Sequence, residues 1–282
     1  MKSGIVIINK EKGWTSQDVV SKVKRILQVK KAGHIGTLDP LATGVLPVLI
    51  GDATKLSKYL VEHNKTYIAT IGLGQKKDTG DDEGEVIQTS EVGVLEEKTV
   101  AEVLKSFEGK QMQIPPKYSA IKINGKKLYE YARAGEEIEI PARNIEIYAM
   151  QLLQINQDEK QISFGVSCSK GTYIRVLCED IAEKMGTCGY MKNLQRTAVN
   201  QFLLKYAVTV ENLTEKQIIS VEKICEKYPK IDLNERKLQL FLNGVMLTMH
   251  REDGIYRIYQ SQNFVGLGVV KNELLKRDVV VN

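Results

Sequence analysis

Residues 32–44 read AGHIGTLDPLATG: thirteen positions with three glycines, one proline and neither a helical nor a strand period. Such a segment is a shaped loop, because glycine reaches backbone conformations closed to other residues and proline fixes its own φ. At its centre Asp39 precedes Pro40, and a residue before proline is pushed toward an extended conformation. Two readings stay open on these residues alone. Asp39 is either an acid or nucleophile presented by a rigid loop, or an Asx-type turn at a loop corner.

The flanking patterns are regular. Residues 4–9 (GIVIIN) predict a buried strand. Thr15 and Asp18 form an approximate capping box for a helix whose apolar face is Val19, Val20, Val23, Ile26 and Leu27. Residues 45–50 predict a strand that Pro47 assigns to an edge or a bulge. A helix is expected over 52–62, a strand over 66–73, an acidic loop over 75–85 and a helix over 99–107. A strand over 118–123 turns at Asn124-Gly125 into a helix over 126–133 ended by Gly135. Residues 144–156 and 160–168 read as a hairpin, and 173–185 as a helix. Beyond Pro229 the pattern changes to short apolar runs at 238–247, 254–260, 263–270 and 279–281. They predict a small all-β unit after a boundary near residue 230.

The 282 residues suffice for one large domain with a small one. Hydrophobic residues at 43% and charged residues at 27% exclude disorder as the main state. No apolar run is long enough to span a membrane, and the first apolar stretch is too short for a signal-peptide core, so a cytoplasmic protein is expected. Cys168, Cys178, Cys188 and Cys225 show no zinc-type spacing, and with three histidines they predict reduced cysteines and no metal site. The net charge of +5 is weak evidence for a nucleic-acid partner, but it is unevenly spread. Residues 1–77 carry 13 basic and 5 acidic side chains, residues 78–108 carry 2 and 10, and residues 109–133 carry 6 and 1. The two basic stretches are dense enough to follow a phosphate backbone. A phosphate-binding P-loop, a dinucleotide fingerprint and a serine nucleophile elbow are absent, which argues against those chemistries.

The segment from Gly33 to Gly44 closely resembles the catalytic motif of the TruB family of pseudouridine synthases. Three further blocks resemble that family in order and spacing: Lys65-Thr66-Tyr67; Tyr118-Ser119-Ala120-Ile121-Lys122 with the run from Gly125 to Arg133; and the run from Cys168 to Arg175. The resemblance covers about residues 3–200. It implies an α+β fold, with a mixed, largely antiparallel sheet flanked by helices and an active site in a cleft across it. Residues 1–230 would form the catalytic domain. Residues 231–282 would form a small all-β RNA-binding domain of PUA type, shortened here, with residues 264–270 in its final hairpin.

The activity implied is cleavage of the N-glycosidic bond of a uridine, rotation of the base and rejoining through carbon. The substrate would be uridine 55 in the TΨC loop of tRNA, flipped out of its loop, and no cofactor is needed. The alternative within the resemblance is a guided rRNA enzyme, whose fuller C-terminal domain and lysine-rich extensions are lacking. A further alternative is an RNA-folding chaperone without catalysis. Asp39 would be the nucleophile or would assist glycal formation, with Arg175 beside it to favour its ionised form and orient it. Tyr67 would stack on the uracil, with its hydroxyl near the carbon that loses a proton. His34 would fill the gap left by the flipped base, Tyr173 would pack under the base or bond to Arg175, and Leu194 would form an apolar wall. Asp81 would lie near the catalytic arginine, and Lys55 near the RNA backbone and the active-site loop. Lys22, Lys24, Arg25, Lys30, Lys31, Lys122, Lys126, Lys127 and Arg133 would contact phosphates of the tRNA T-arm. No protein partner and no membrane are expected, and the chain would act as a monomer.

Overall fold

Ile5, Val6, Ile7 and Ile8 are all buried. Consecutive strand residues point to opposite faces, so this run needs cover on both sides, and that need sets the architecture. The computed structural model describes residues 2–60 and 64–281. Its elements are, in order, β1 (Gly4–Lys10), α1 (Ser16–Leu27), β2 (Ala32–His34), β3 (Thr43–Ile50), α2 (Ser57–Leu60), β4 (Lys65–Leu73), β5 (Gln75–Lys77), β6 (Val86–Thr89) and α3 (Glu97–Lys105). Then come β7 (Gly109–Gln113), β8 (Lys122–Ile123), β9 (Lys126–Lys127), α4 (Leu128–Ala134), β10 (Arg143–Asn156), β11 (Gln161–Cys168), α5 (Ile174–Lys184), β12 (Gly189–Val199) and β13 (Phe202–Leu203). The chain closes with β14 (Ile219–Ser220), α6 (Val221–Ile224), β15 (Lys230–Asp232), α7 (Glu235–Leu242), β16 (Leu247–Thr248), β17 (Gly254–Gln260), β18 (Asn263–Lys271) and β19 (Leu274–Val280).

A large sheet runs β14-β1-β3-β12-β4-β11-β10-β7, with β2 beside β3 and β13 beside β12. Its pairs are antiparallel except β3 with β12, where Thr43 and Gly44 lie parallel to Gln195 and Arg196. Val6 and Ile8 face a core built with Val19 and Val23 of α1, Val100 and Leu104 of α3, and Leu177 and Ile181 of α5. Ile5 and Ile7 face the opposite core, which holds Leu56, Val221, Leu267 and Val279. The last two belong to a second, five-stranded sheet, β15-β17-β18-β19-β16, so the C-terminal unit shares a core with the back of the main sheet. No helix among the described residues is long and apolar enough to cross a membrane.

The expected capping box is present. The Thr15 hydroxyl accepts from the Asp18 amide at 3.1 Å, and the Asp18 carboxylate accepts from the Thr15 amide at 3.0 Å. The 144–168 hairpin and the helix from Ile174, with Tyr173 as its N-cap, also follow the sequence pattern.

Several elements differ from expectation. Pro47 is at neither an edge nor a bulge: it pairs with Ile7 in the interior of the sheet. Its carbonyl accepts from Ile35 at 2.9 Å. In an extended strand the N and the carbonyl of one residue point the same way, so the missing donor falls where β2 leaves the ladder after His34. The segment 32–44 is therefore a short strand followed by the loop. The helix over 52–62 is a 3₁₀ turn at Gly51–Leu56 followed by α2, and its last two residues, 61 and 62, lie outside the described residues. Within 118–123 only Lys122–Ile123 pairs, closing on Asn124 and Gly125, both at positive φ. The acidic loop begins as β5, paired with β6. Residues 238–247 begin in α7, capped by Asn234, because Leu238, Phe241 and Leu242 keep a helical period. Strands β7 and β12 were not foreseen.

Candidate active site

The loop between β2 and β3 is held to the core at several points. Ser16, buried at the start of α1, donates to the Leu38 carbonyl at 3.0 Å and accepts from the Leu38 amide at 2.9 Å. Lys10, fully buried at the end of β1, donates to the carbonyls of Glu11, Trp14 and Pro40 at 2.9, 2.7 and 3.2 Å. Burial lowers its pKa to about 8, opposed by the charge of Asp39. This anchoring fixes the backbone on both sides of Asp39 and leaves its carboxylate partly exposed.

Asp39 meets Arg175, from the first turn of α5. Arg175 Nε stands 3.1 Å from Asp39 Oδ2. The other two guanidinium nitrogens donate to the carbonyls of Thr79 at 3.1 Å and Tyr118 at 2.8 Å. A planar fork with all three nitrogens engaged has one orientation, so Arg175 aims the carboxylate as well as pairing with it. Asp81 lies behind, its Oδ2 3.8 Å from Arg175 Nε and its Oδ1 accepting from Thr79 and the Glu83 amide. The start of α5 is fixed by Gln113 of β7, which bonds both the amide and the carbonyl of Tyr173, at 2.8 and 3.1 Å.

The surrounding cleft, about 750 Å³, is lined by His34, Asp39, Tyr67, Ser119, Tyr129, Tyr173, Arg175 and Leu194, among others. A space of this size falls in the range of small-molecule and cofactor sites. Tyr67, on β4, is buried, and that burial pushes its hydroxyl pKa up to about 12, so it stays protonated at neutral pH. Burial, reinforced by the charge of Arg196, lowers the pKa of His34. Burial raises that of Tyr173. Two buried polar atoms of the lining, His34 Nδ1 and Ser119 Oγ, make no hydrogen bond of normal length within the described residues. The Tyr173 hydroxyl lies alongside Ser119 rather than bonding to Arg175.

Of the residues predicted for the site, the structure gathers Asp39, Tyr67, Arg175, His34, Tyr173 and Leu194 into one cleft, with Asp81 behind the arginine. Lys55, expected by the active-site loop and the RNA backbone, does not line the cleft, although its 3₁₀ turn also contacts β2 at the start of that loop. It pairs with Asp52 at 2.6 Å and donates to the Val280 carbonyl, because its 3₁₀ turn packs against β19. Lys122, Lys126, Lys127 and Arg133 stand beside the cleft on β8, β9 and α4. Lys126 pairs with Glu136 at 2.8 Å and lies over Tyr131. Lys127 and Arg133 both lie over Tyr129, which does line the cleft.

Gln113, Ser119 as a site residue, Lys10 and Arg196 were missed. Arg196 is wholly buried and donates to the carbonyls of Val45, Thr37 and Gly36 at 2.7, 3.2 and 3.0 Å. Its signal was a charged residue at an inward position of a strand, visible only once β12 is recognised. No group of His, Cys, Asp and Glu that could hold a metal occurs among the described residues.

Fold and site together define a class. A chain from the crystal structure of a Cbf5-Nop10-Gar1 complex superposes with a TM-score of 0.69 at 25% identity, covering 99% of this chain and 83% of that one. An H/ACA RNP bound to a substrate RNA containing 2′-deoxyuridine gives a TM-score of 0.69 at 24% identity over 98% of this chain and 84% of that one, a likeness of fold. The sequence narrows this further. Residues 24–174 match the family model of the TruB family pseudouridylate synthase N-terminal domain, and residues 175–249 match the tRNA pseudouridylate synthase B C-terminal domain. The tRNA pseudouridine synthase B of Clostridium acetobutylicum is 43% identical, with 97% of each chain covered. That of Francisella philomiragia is 43% identical over 94% of this chain and 90% of its own. The chain belongs to the TruB family of pseudouridine synthases.

Proposed function

We propose that this chain isomerises the uridine at position 55 in the TΨC loop of tRNA to pseudouridine, acting as a monomer on a flipped-out nucleotide. The observation that carries this reading is Asp39. It is a single carboxylate fixed by Arg175 at 3.1 Å, in a cleft that also presents the Tyr67 ring. Glycoside hydrolysis calls for two facing carboxylates; here Asp81 is buried behind Arg175 and does not line the cleft.

Asp39 acts at C1′ of the ribose while the C1′–N1 bond breaks: as nucleophile it bonds to C1′ and leaves again when C5 attacks that carbon, and as base it takes the C2′ proton to form a glycal and returns it when C5 bonds to C1′. The freed uracil turns between Tyr67 and Leu194, and its C5 bonds to C1′. Loss of the C5 proton restores the C5=C6 double bond, and N1 takes up a proton, so no atom is gained or lost overall. The Tyr67 hydroxyl accompanies the C5 proton in this reading, and its protonated state at neutral pH makes it a relay rather than a strong base. His34 Nδ1 and Ser119 Oγ supply hydrogen-bonding capacity for a polar substrate, consistent with a cleft shaped for a nucleotide.

Residues 1–230 act as the catalytic unit and residues 231–282 as an RNA-binding unit. This division is supported by the start of the second sheet at Lys230, although the C-terminal family match begins earlier, at residue 175. The flanking cations on β8, β9 and α4 contact phosphates, a role that positions RNA without reading its sequence. The test is to incubate an unmodified tRNA transcript with the protein and map pseudouridine by mass spectrometry. Modification confined to position 55 is expected. Modification at another uridine, or none, would overturn the assignment.

A further inference from the structure

The cleft accounts for Asp39, Tyr67 and Arg175, but not for the charge buried beneath them. Among the described residues Arg196 and Lys10 are the fully buried side chains that carry charge. Among the described residues Arg196 has no carboxylate at ion-pair distance; its guanidinium donates to three backbone carbonyls, and its strand partner Tyr67 brings a hydroxyl beside it. A buried guanidinium without a carboxylate partner is costly, and it persists where something else depends on it.

Its position in the sheet shows what depends on it. Arg196 is paired with Tyr67 on β4 and, on its other side, with Gly44 on β3. Gly44 has φ +103, and a Cβ there would come within 2.2 Å of the Arg196 carbonyl oxygen. Gly36 has φ +77, and its Cβ would lie 3.4 Å from Arg196 Nη1. Two glycines of the catalytic loop thus have Arg196 as a close neighbour. A bulge follows Arg196 in its pairing with β4, a feature that re-aims side chains at a sheet junction.

We propose that Arg196 is a positioning residue for the reaction: from beneath the cleft it fixes the Asp39 loop and the Tyr67 hydroxyl in one register, so that both meet the same nucleoside. The inference rests on the reading that this cleft performs uridine isomerisation. Arg196 touches no substrate. A lysine at this position keeps the charge but cannot serve three carbonyls and a hydroxyl from one ammonium group.

The test uses the full chain carrying Arg196→Lys, with Arg196→Gln as a second variant, each confirmed folded by circular dichroism. Amide hydrogen exchange comes first, because it does not depend on activity. Exchange at Leu38 and Ala42 should speed up about tenfold in Arg196→Lys, while the interior of α5 keeps its wild-type rate. Single-turnover kinetics on tRNA come second. The rate should fall about 100-fold, as for a small misplacement of reacting groups, with tRNA affinity unchanged. The same substitution in a Tyr67→Phe background should cost less than about 10-fold, because part of its effect runs through that hydroxyl. Wild-type exchange at Leu38 and Ala42 would overturn the proposal whatever the enzyme modifies. So would a rate loss that is fully additive with Tyr67→Phe, or one confined to tRNA affinity. An inactive wild type would instead overturn the functional reading and leave the exchange result to decide this one.

Discussion

Arg175 holds Asp39 with one nitrogen, Nε at 3.1 Å from Oδ2, and spends its other two on the carbonyls of Thr79 and Tyr118. Through this one side chain, α5, the β5–β6 turn and the segment before β8 all bear on the direction of a single carboxylate.

Arg175→Lys should therefore remove orientation while keeping charge. The expected result is a fall in kcat of about 100-fold on tRNA, with thermal stability reduced by about 1–3 kcal/mol for the buried carbonyls left unpaired. Parallel steady-state kinetics and denaturant unfolding check both numbers.

Ser16 joins α1 to the loop through its reciprocal bonds with Leu38. Ser16→Ala leaves the buried Leu38 amide and carbonyl without that partner and should cost about 1–3 kcal/mol of stability. A drop in kcat larger than any change in tRNA affinity should accompany it, because Leu38 precedes Asp39. Unfolding in urea together with filter binding measures the two effects.

Lys10 gives a pH signature. Burial lowers its pKa from 10.5 to about 8 in the folded chain. Below about 8 both folded and unfolded states hold the proton, and the cost of a buried cation is felt in full. As pH rises from about 8 toward 10.5 the folded chain has shed the proton and the unfolded chain has not, so this cost is relieved and stability rises. The difference in unfolding free energy between wild type and Lys10→Met should therefore grow in favour of wild type across that window. Urea titrations of both proteins at several pH values read it; a constant difference would argue against a buried cation.

Lys126 and Lys127 stand beside the cleft rather than in it. Replacing both with alanine should weaken tRNA binding and lower the slope of log K against log salt by about 1–2, as for one or two lost phosphate contacts. Binding isotherms at four salt concentrations test this, and an unchanged slope would move the phosphate track elsewhere.

The candidate site was legible through resemblance to the TruB family, whose motifs fall in short, locally distinctive runs; the residues alone left Asp39 open between an acid and an Asx-type turn. The glycines and proline around Asp39, the capping box at Thr15 and the Asn124-Gly125 turn each follow from neighbours in sequence. Arg196, Gln113 and Lys10 were not legible. Their roles come from pairings that span the chain, such as Arg196 with Gly44 and Tyr67, or Gln113 with Tyr173. The strand β12 escaped notice for a related reason. Its polar residues interrupt the alternation, and its place beside β3 is decided by a parallel pairing across about 150 residues. Pro47 misled for the opposite cause: a local rule about proline was overridden by where β2 ends. Within the acidic stretch after residue 77, Asp81 turns inward behind Arg175 while Asp82 pairs with Lys77 at 3.0 Å.

Asp39 is the group proposed to start the reaction. The most direct measurement is tritium release from a tRNA transcript labelled at uridine C5, with wild type and with Asp39→Asn, which keeps the shape of the side chain and removes its charge. Release by wild type alone, with both proteins binding the tRNA equally, is the predicted result. Equal release by the two proteins, or none by a wild type that binds the tRNA, would contradict it.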